Sequence, residues 1–315
     1  MDSGVPDQSA KTVLITGGNS GIGLQSALAI AARGARVLLA CRNPAKAAWA
    51  VQQVASVATM VEPRAVPLDL GDLGSVRACA AELLDDEMAI DVLMLNAGVM
   101  AMPRSWTVDG FEVHFGTNHL GHFALAGLLM PKVLTAPAPR VVTTASLAHR
   151  WGRVRWQDPN WNGRFYSSTL AYGQSKVANL LFMRELDRRA RAADAKLISV
   201  AAHPGAAHTN LATQQDNLAV RWFYDFLRRY GTQSAEQGAL PLLYAATMPG
   251  VRGGSYFGPD GLLELHGNPT NAVMSATARN ATAAQRLWGL SERLTGVSWD
   301  VGRVSADEIR PTRDH

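Results

Sequence analysis

Short runs rich in β-formers recur along the chain, and each is followed by a stretch of helical length. TVLIT (12–16), ARVLLA (35–40), RAVPL (64–68), DVLML (91–95), RVVTTA (140–145) and KLISVAA (196–202) are the strand candidates. Helices are predicted up to about Arg33, near 45–56, over about 73–85, within 107–134 and over about 170–191. Strands separated in this way are joined by crossovers rather than hairpins, so they lie parallel and need helices on both faces. The expected class is α/β: a doubly wound parallel sheet of about seven strands, the seventh supplied by GGSYFG (253–258). No fixed-period repeat, low-complexity tract or linker divides the chain, so residues 11–300 read as a single domain between polar tails at 1–10 and 301–315. Ligands of such sheets sit outside the carboxyl ends of the strands.

The first of those ends is ITGGNSGIG (15–23), which places four glycines directly after a strand. Glycine there permits positive φ and close approach of the backbone to a ligand. A Walker turn is excluded, because Gly23 is followed by Leu24 and Gln25 rather than by Lys and Ser or Thr. The fingerprint G-x-G-x-x-G is met only as far as Gly21-x-Gly23-x-x-Ser26. The spacing that fits is the longer Gly17-x-x-x-Gly21-x-Gly23.

Composition narrows the alternatives. With 47% hydrophobic and 18% charged residues, the chain has ample core-forming material. The net charge of +4 comes from scattered residues, which gives no footprint for nucleic acid but suffices for one anionic ligand. Cys41 and Cys79 form no C-x-x-C pair, so neither a disulfide framework nor a zinc site is expected, and a reducing, cytoplasmic setting fits. The N-terminal MDSGVPDQSAK lacks a signal core, and no apolar run approaches the roughly 18 residues that span a bilayer. A soluble protein without stable membrane insertion is expected; a homo-oligomer is left open.

Four further stretches stand at strand ends or on the helices that follow: LNAG (95–98), NHLG (118–121), TTAS (143–146) and YGQSK (172–176). With the glycine turn they occur in the order of the short-chain dehydrogenase/reductase family, which this chain resembles over roughly residues 11–260. HPGAAHT (203–209) is similar to that family's Pro-Gly segment. ACRNPAK, NHLGHF and LWGLSERLTGV most resemble its retinol-dehydrogenase-like and protochlorophyllide-reductase-like members. The resemblance implies a Rossmann fold and an NAD(P)-dependent enzyme acting between an alcohol and a carbonyl.

Tyr172 and Lys176, four apart on a helix, share one face, so the ammonium can stabilise a phenolate and bring the phenol from about 10 toward a value useful for proton transfer. Ser146 is placed to hydrogen-bond the substrate oxygen. The resemblance makes Asn118 the residue whose backbone holds a relay water near the lysine, and makes Asn118, Ser146, Tyr172 and Lys176 the catalytic set. Gly17, Asn19, Ser20, Gly21, Ile22 and Gly23 would hold the pyrophosphate at a helix N-terminus. Asp69 resembles the family's adenine-contacting Asp, with Leu70 beside it in the cofactor set; Asn96, Ala97 and Gly98 resemble the NAG segment, Pro204 and Gly205 the Pro-Gly segment of the cofactor site, and Thr209 the residue that contacts the carboxamide. Tyr172 and Lys176 also belong to the cofactor set. About twenty residues beyond the turn, where an NAD enzyme carries an acid, this chain has Cys41 and Arg42. A guanidinium there suits a 2′-phosphate, so NADP(H) is expected in preference to NAD(H).

The histidines, among them His114, His119 and His122, show no metal-binding spacing and read as structural. Gly173-Gln-Ser175-Lys-Val177 misses the hydrolase elbow at its last position. VRWFYDFLRRYG (220–231), apolar, aromatic and basic, reads as a lid helix, with contact to a membrane surface or a partner as the alternative, and WGRVRWQDPNWNGRF (151–165) reads as a second wall of the site. These substrate-loop regions, near 151–170 and 206–235, favour a hydrophobic small-molecule substrate. Two other readings share the motifs: reduction of an activated C=C bond, and a non-catalytic dinucleotide sensor, a class that typically lacks the Tyr-Lys pair.

Overall fold

A computed structural model describes residues 4–206 and 233–302. Eight strands form one sheet in the order β3-β2-β1-β4-β5-β6-β7-β8. They are β1 (Thr12–Thr16), β2 (Arg36–Cys41), β3 (Arg64–Pro67), β4 (Val92–Leu95), β5 (Arg140–Thr144), β6 (Ile198–Ala202), β7 (Tyr256–Pro259) and β8 (Pro269–Asn271). The first seven pair in parallel, and β8 closes the edge antiparallel to β7, with Phe257 opposite Asn271. The α/β, doubly wound reading holds. The eighth strand is the addition: three residues with a proline and largely exposed side chains carry no strand pattern.

The helices are α1 (Gly21–Ala31), α2 (Pro44–Ala55), α3 (Leu73–Leu84), α4 (Val113–Phe115), α5 (Gly121–Leu134), α6 (Ser168–Ala192), α7 (Ala235–Thr247) and α8 (Ala281–Thr295), with a π turn (Gly116–Leu120) joining α4 to α5. Alternation along the strands assigns their side chains to two cores. In β1 and β4, Leu14, Leu93 and Leu95 face the core built on α3, α5 and α6, whereas Val13, Ile15, Val92 and Met94 face that of α1, α2 and α7. Every one of these side chains is nearly or wholly buried.

Local chemistry sets the helix starts that matter to the site. Asn43 caps α2 by accepting from the Lys46 amide at 2.9 Å, with Pro44 in the first turn. Ser167 caps α6, which fixes the register of Tyr172 and Lys176. Residues 4–10, expected as a polar tail, pack against the body: Val5 and Gln8 are buried, and the Gln8 amide donates to Arg33 O at 2.8 Å. Thr209 and the stretch 220–231 lie outside the described residues. Among the described residues, no helix is long and apolar enough to cross a membrane.

Candidate active site

The strand order reverses at β1, between β2 and β4, and a cleft of about 990 Å³ opens along the carboxyl ends of the strands. At one end it is lined by Gly17, Asn19, Ser20, Gly21, Ile22 and Gly23 from the turn and α1, together with Arg42, Asp69 and Leu70. Asn96, Ala97 and Gly98 follow, then Ser146, Tyr172, Lys176, Pro204 and Gly205. The structure thus brings together every described residue singled out from sequence except Asn118, which is wholly buried behind the wall.

The turn after β1 needs its glycines for two reasons. Gly17 sits at φ +67°, in the left-handed region. A Cβ on Gly23 would strike the Gly17 carbonyl and lie 2.6 Å from Asn96 Nδ2. Ser20, the residue preceding α1, makes no capping bond with its side chain, so the first-turn amides and the positive end of the helix dipole are left for an anion in the cleft. Below the turn, Cys41 is buried and its sulfur accepts from the Gly18 and Asn19 amides, while burial pushes the thiol up to about 11.

Arg42 reaches over the rim, its side chain 74% exposed, with one nitrogen 3.8 Å from Asp69 Oδ2. An exposed pair at this separation is weak, so the guanidinium is readily diverted to a stronger anion. Lys46, one helical turn further on, lines the same end. The sequence reading passed over it, although its place four residues after Arg42 at the start of α2 was visible. The fit to a phosphorylated dinucleotide rests on these features: a glycine cradle without room for a Cβ, an open helix N-terminus, and two cations at the end of the cleft.

At the other end, Tyr172 and Lys176 project from α6, with Nζ 5.6 Å from the centre of the phenol ring. Lys176 is 4% exposed. Its ammonium donates to Thr144 O at 3.2 Å, and burial pulls it down to about 8. Ser146 stands in extended backbone between β5 and the short 3₁₀ helix Leu147–Arg150, where its hydroxyl accepts from the Ala148 amide at 3.2 Å. The Ser146 carbonyl accepts from His149 Nδ1 at 2.7 Å, which leaves Nε2 to accept from the Ser275 amide at 3.1 Å.

Asn118 lies in the π turn. Its side chain pairs with both backbone groups of Val99, at 2.7 and 2.9 Å, and donates to Ser175 Oγ at 2.9 Å. Its carbonyl accepts from His122 Nδ1 at 2.9 Å. The other ring nitrogen, Nε2, therefore accepts from the Thr16 hydroxyl at 2.9 Å, whose oxygen in turn takes the Asn96 and Ala97 amides at 2.9 and 3.0 Å. Burial holds His122 at about 4, so the neutral ring that this chain requires is the stable form. No spacing in the sequence distinguished His122 as the link between the glycine turn and Asn118.

Of the three tryptophans in 151–165, only Trp151 lines the cleft. Trp161 is buried between Arg155 and Arg164, and Trp156 stacks on Arg286.

A short chain dehydrogenase family model matches residues 11–218. Mouse retinol dehydrogenase 12 is 38% identical over 294 residues, covering 92% of this chain and 88% of the relative. Human retinol dehydrogenase 11 is 39% identical over 293 residues, covering 92% and 87%. The crystal structure of an uncharacterized protein from Mycobacterium paratuberculosis superposes with a TM-score of 0.78 at 43% identity, over 95% of this chain and 98% of that one. The chain belongs to the short-chain dehydrogenase/reductase family and is an NAD(P)-dependent oxidoreductase acting between an alcohol and a carbonyl.

Proposed function

We propose that the protein interconverts an apolar alcohol and its aldehyde or ketone, with NADP(H) preferred over NAD(H) and Tyr172 exchanging the proton. The observation that carries this reading is one cleft with Arg42 and Lys46 at one end and Ser146, Tyr172 and Lys176 at the other. The glycine turn, Asp69, Leu70 and the Asn96–Gly98 segment would hold the dinucleotide between them. When bound, its nicotinamide supplies or accepts the hydride.

The protein's own residues manage the oxygen and its proton. In the reducing direction Ser146 hydrogen-bonds the carbonyl oxygen, and Tyr172 gives up its hydroxyl proton as the alcohol forms. Lys176, charged at neutral pH, stabilises the phenolate that results. Asn118 acts indirectly: through Val99 and Ser175 it ties the wall of the cleft to the helix from which Lys176 projects. Leu147, Trp151, Leu263 and Leu265 make the substrate end apolar, which agrees with a substrate of the kind that the names of the retinol dehydrogenases imply for those relatives. Two free, buried thiols suit the reducing cytoplasm that we infer as its setting.

The test is turnover of long-chain aldehydes and of retinal with NADPH and with NADH, with the product identified by mass spectrometry. The reading expects the alcohol as product and a higher kcat/KM with NADPH. A saturated aldehyde as product, or an NADH preference, would refute it.

A further inference from the structure

After β7 the chain turns through Leu262–Glu264 before reaching β8. Leu263 adopts φ 55°, ψ 20°, and Glu264 follows at φ 59°. Two successive residues with a Cβ thus sit in the left-handed region, where glycine would be free of strain. Such a backbone persists only if its surroundings over-determine it.

They do so here. The Glu264 carboxylate takes Arg150 at 2.8 Å and His203 Nε2 at 3.0 Å, and the Val273 amide donates to it as well. His203 Nδ1 accepts from the Gly205 amide at 3.2 Å, so the proton on Nε2 is the one given to Glu264. Leu265 O accepts from the Ala206 amide at 2.9 Å, and Gly205 leaves no room for a Cβ against that carbonyl. Arg150 closes the 3₁₀ helix that Ser146 begins, so the clamp is tied directly to the serine.

The strain aims a side chain. Leu263 lines the cleft, as do Leu265, Leu147 and Trp151, yet it is 67% exposed. A leucine stands where the backbone favours glycine, and most of its surface is left uncovered at the cleft it lines. We propose that Leu263 is a specificity-determining residue, the apolar wall along which the substrate's chain lies, and that Glu264 with Arg150 and His203 holds the strained turn that presents it. The proposal rests on the carbonyl–alcohol reading given above.

The experiment compares kcat/KM for straight-chain aldehydes from butanal to decanal, at saturating NADPH, in wild type, Leu263→Gly and Leu263→Asn. Both replacements tolerate the left-handed backbone and remove the apolar surface. In wild type kcat/KM rises with length, by roughly fourfold for each methylene that the wall covers. Both variants lose about tenfold or more on decanal, keep their activity on butanal, and leave the KM for NADPH unchanged. Leu263→Gly also melts no lower than wild type, because it relieves strain. Glu264→Ala, which removes the acceptor for Arg150 and His203 and leaves Leu263 in place, shows the same long-chain defect.

An equal loss on butanal and decanal, or no loss on either, would overturn the proposal, and a wild-type length profile in Glu264→Ala would remove the clamp from it. If wild type turns over no aldehyde, the carbonyl reading fails, and decanol binding by calorimetry in the presence of NADP decides the wall separately. Weakening by about tenfold in Leu263→Gly upholds it, and unchanged or absent decanol binding overturns it.

Discussion

Replacing Lys176 by methionine is expected to stabilise the protein while abolishing its chemistry. Lys176 is 4% exposed, and burial pulls its ammonium from 10.5 to about 8. Below pH 8 both folded and unfolded chains carry the proton, and the folded state bears the whole cost of burying it. Between 8 and 10.5 only the unfolded chain keeps the proton, so wild type gains stability as pH rises through this window. A gap of about 2.5 between the two values, at about 1.36 kcal/mol for each tenfold, corresponds to roughly 3 kcal/mol at pH 7 and to about 1 kcal/mol by pH 10. Methionine fills a similar volume without charge, and the carbonyl it abandons, Thr144 O, still accepts from Asn179 Nδ2 at 3.0 Å. Urea denaturation of cofactor-free wild type and Lys176→Met at pH 7 and pH 10 measures the difference. The variant is expected to be more stable at pH 7, by up to about 3 kcal/mol, with most of that advantage gone at pH 10. A variant less stable at pH 7, or an advantage independent of pH, would show that the buried ammonium is not the strained group described here.

The remaining expectations concern the cofactor end and the proton. Arg42→Ala is expected to lower kcat/KM for NADPH by roughly 10- to 150-fold, the worth of a charge-assisted bond, and to leave NADH unchanged. Lys46→Ala is expected to act in the same direction, and equal losses with both cofactors in either variant would make these residues plain surface charge. Gly23→Ala drives a methyl group into the Gly17 carbonyl, so a cost of about 1–3 kcal/mol in stability and weakened NADPH binding by calorimetry are expected. In the reducing direction kcat/KM is expected to fall above about pH 8, as Lys176 loses the charge that supports the phenolate. A profile flat to pH 10 would contradict that assignment.

Much of the site was legible because a parallel sheet collects its strand ends in one place. Gly17, Arg42, Asp69, Asn96, Ser146 and Pro204 follow six different strands, and once those strands are recognised their side chains have one cleft to share. Elements held by tertiary contacts rather than local pattern were not legible in this way. β8 exists only because Asn271 and Thr270 find β7. α7 was missed although its capping box is written in the sequence, Ser234 and Gln237 each bonding the other's backbone. His122 and His149 looked like structural histidines, and they are buried as such. What sequence could not convey is that each holds a backbone carbonyl within the site, Asn118 O and Ser146 O, because that depends on rings meeting partners from distant segments. The strain at Leu263 and Glu264 was equally invisible, since nothing in LLEL announces positive φ.

In the proposed mechanism Tyr172 carries the proton, while the glycine turn and the cationic end of the cleft supply most of the hold on the cofactor. Single-turnover reduction of an apolar aldehyde by Tyr172→Phe, with NADPH affinity measured on the same preparation, tests it most directly. Hydride transfer is expected to be slowed by roughly 10²-fold or more, with NADPH binding close to wild type. Near-normal turnover in a protein that lacks this hydroxyl would contradict it.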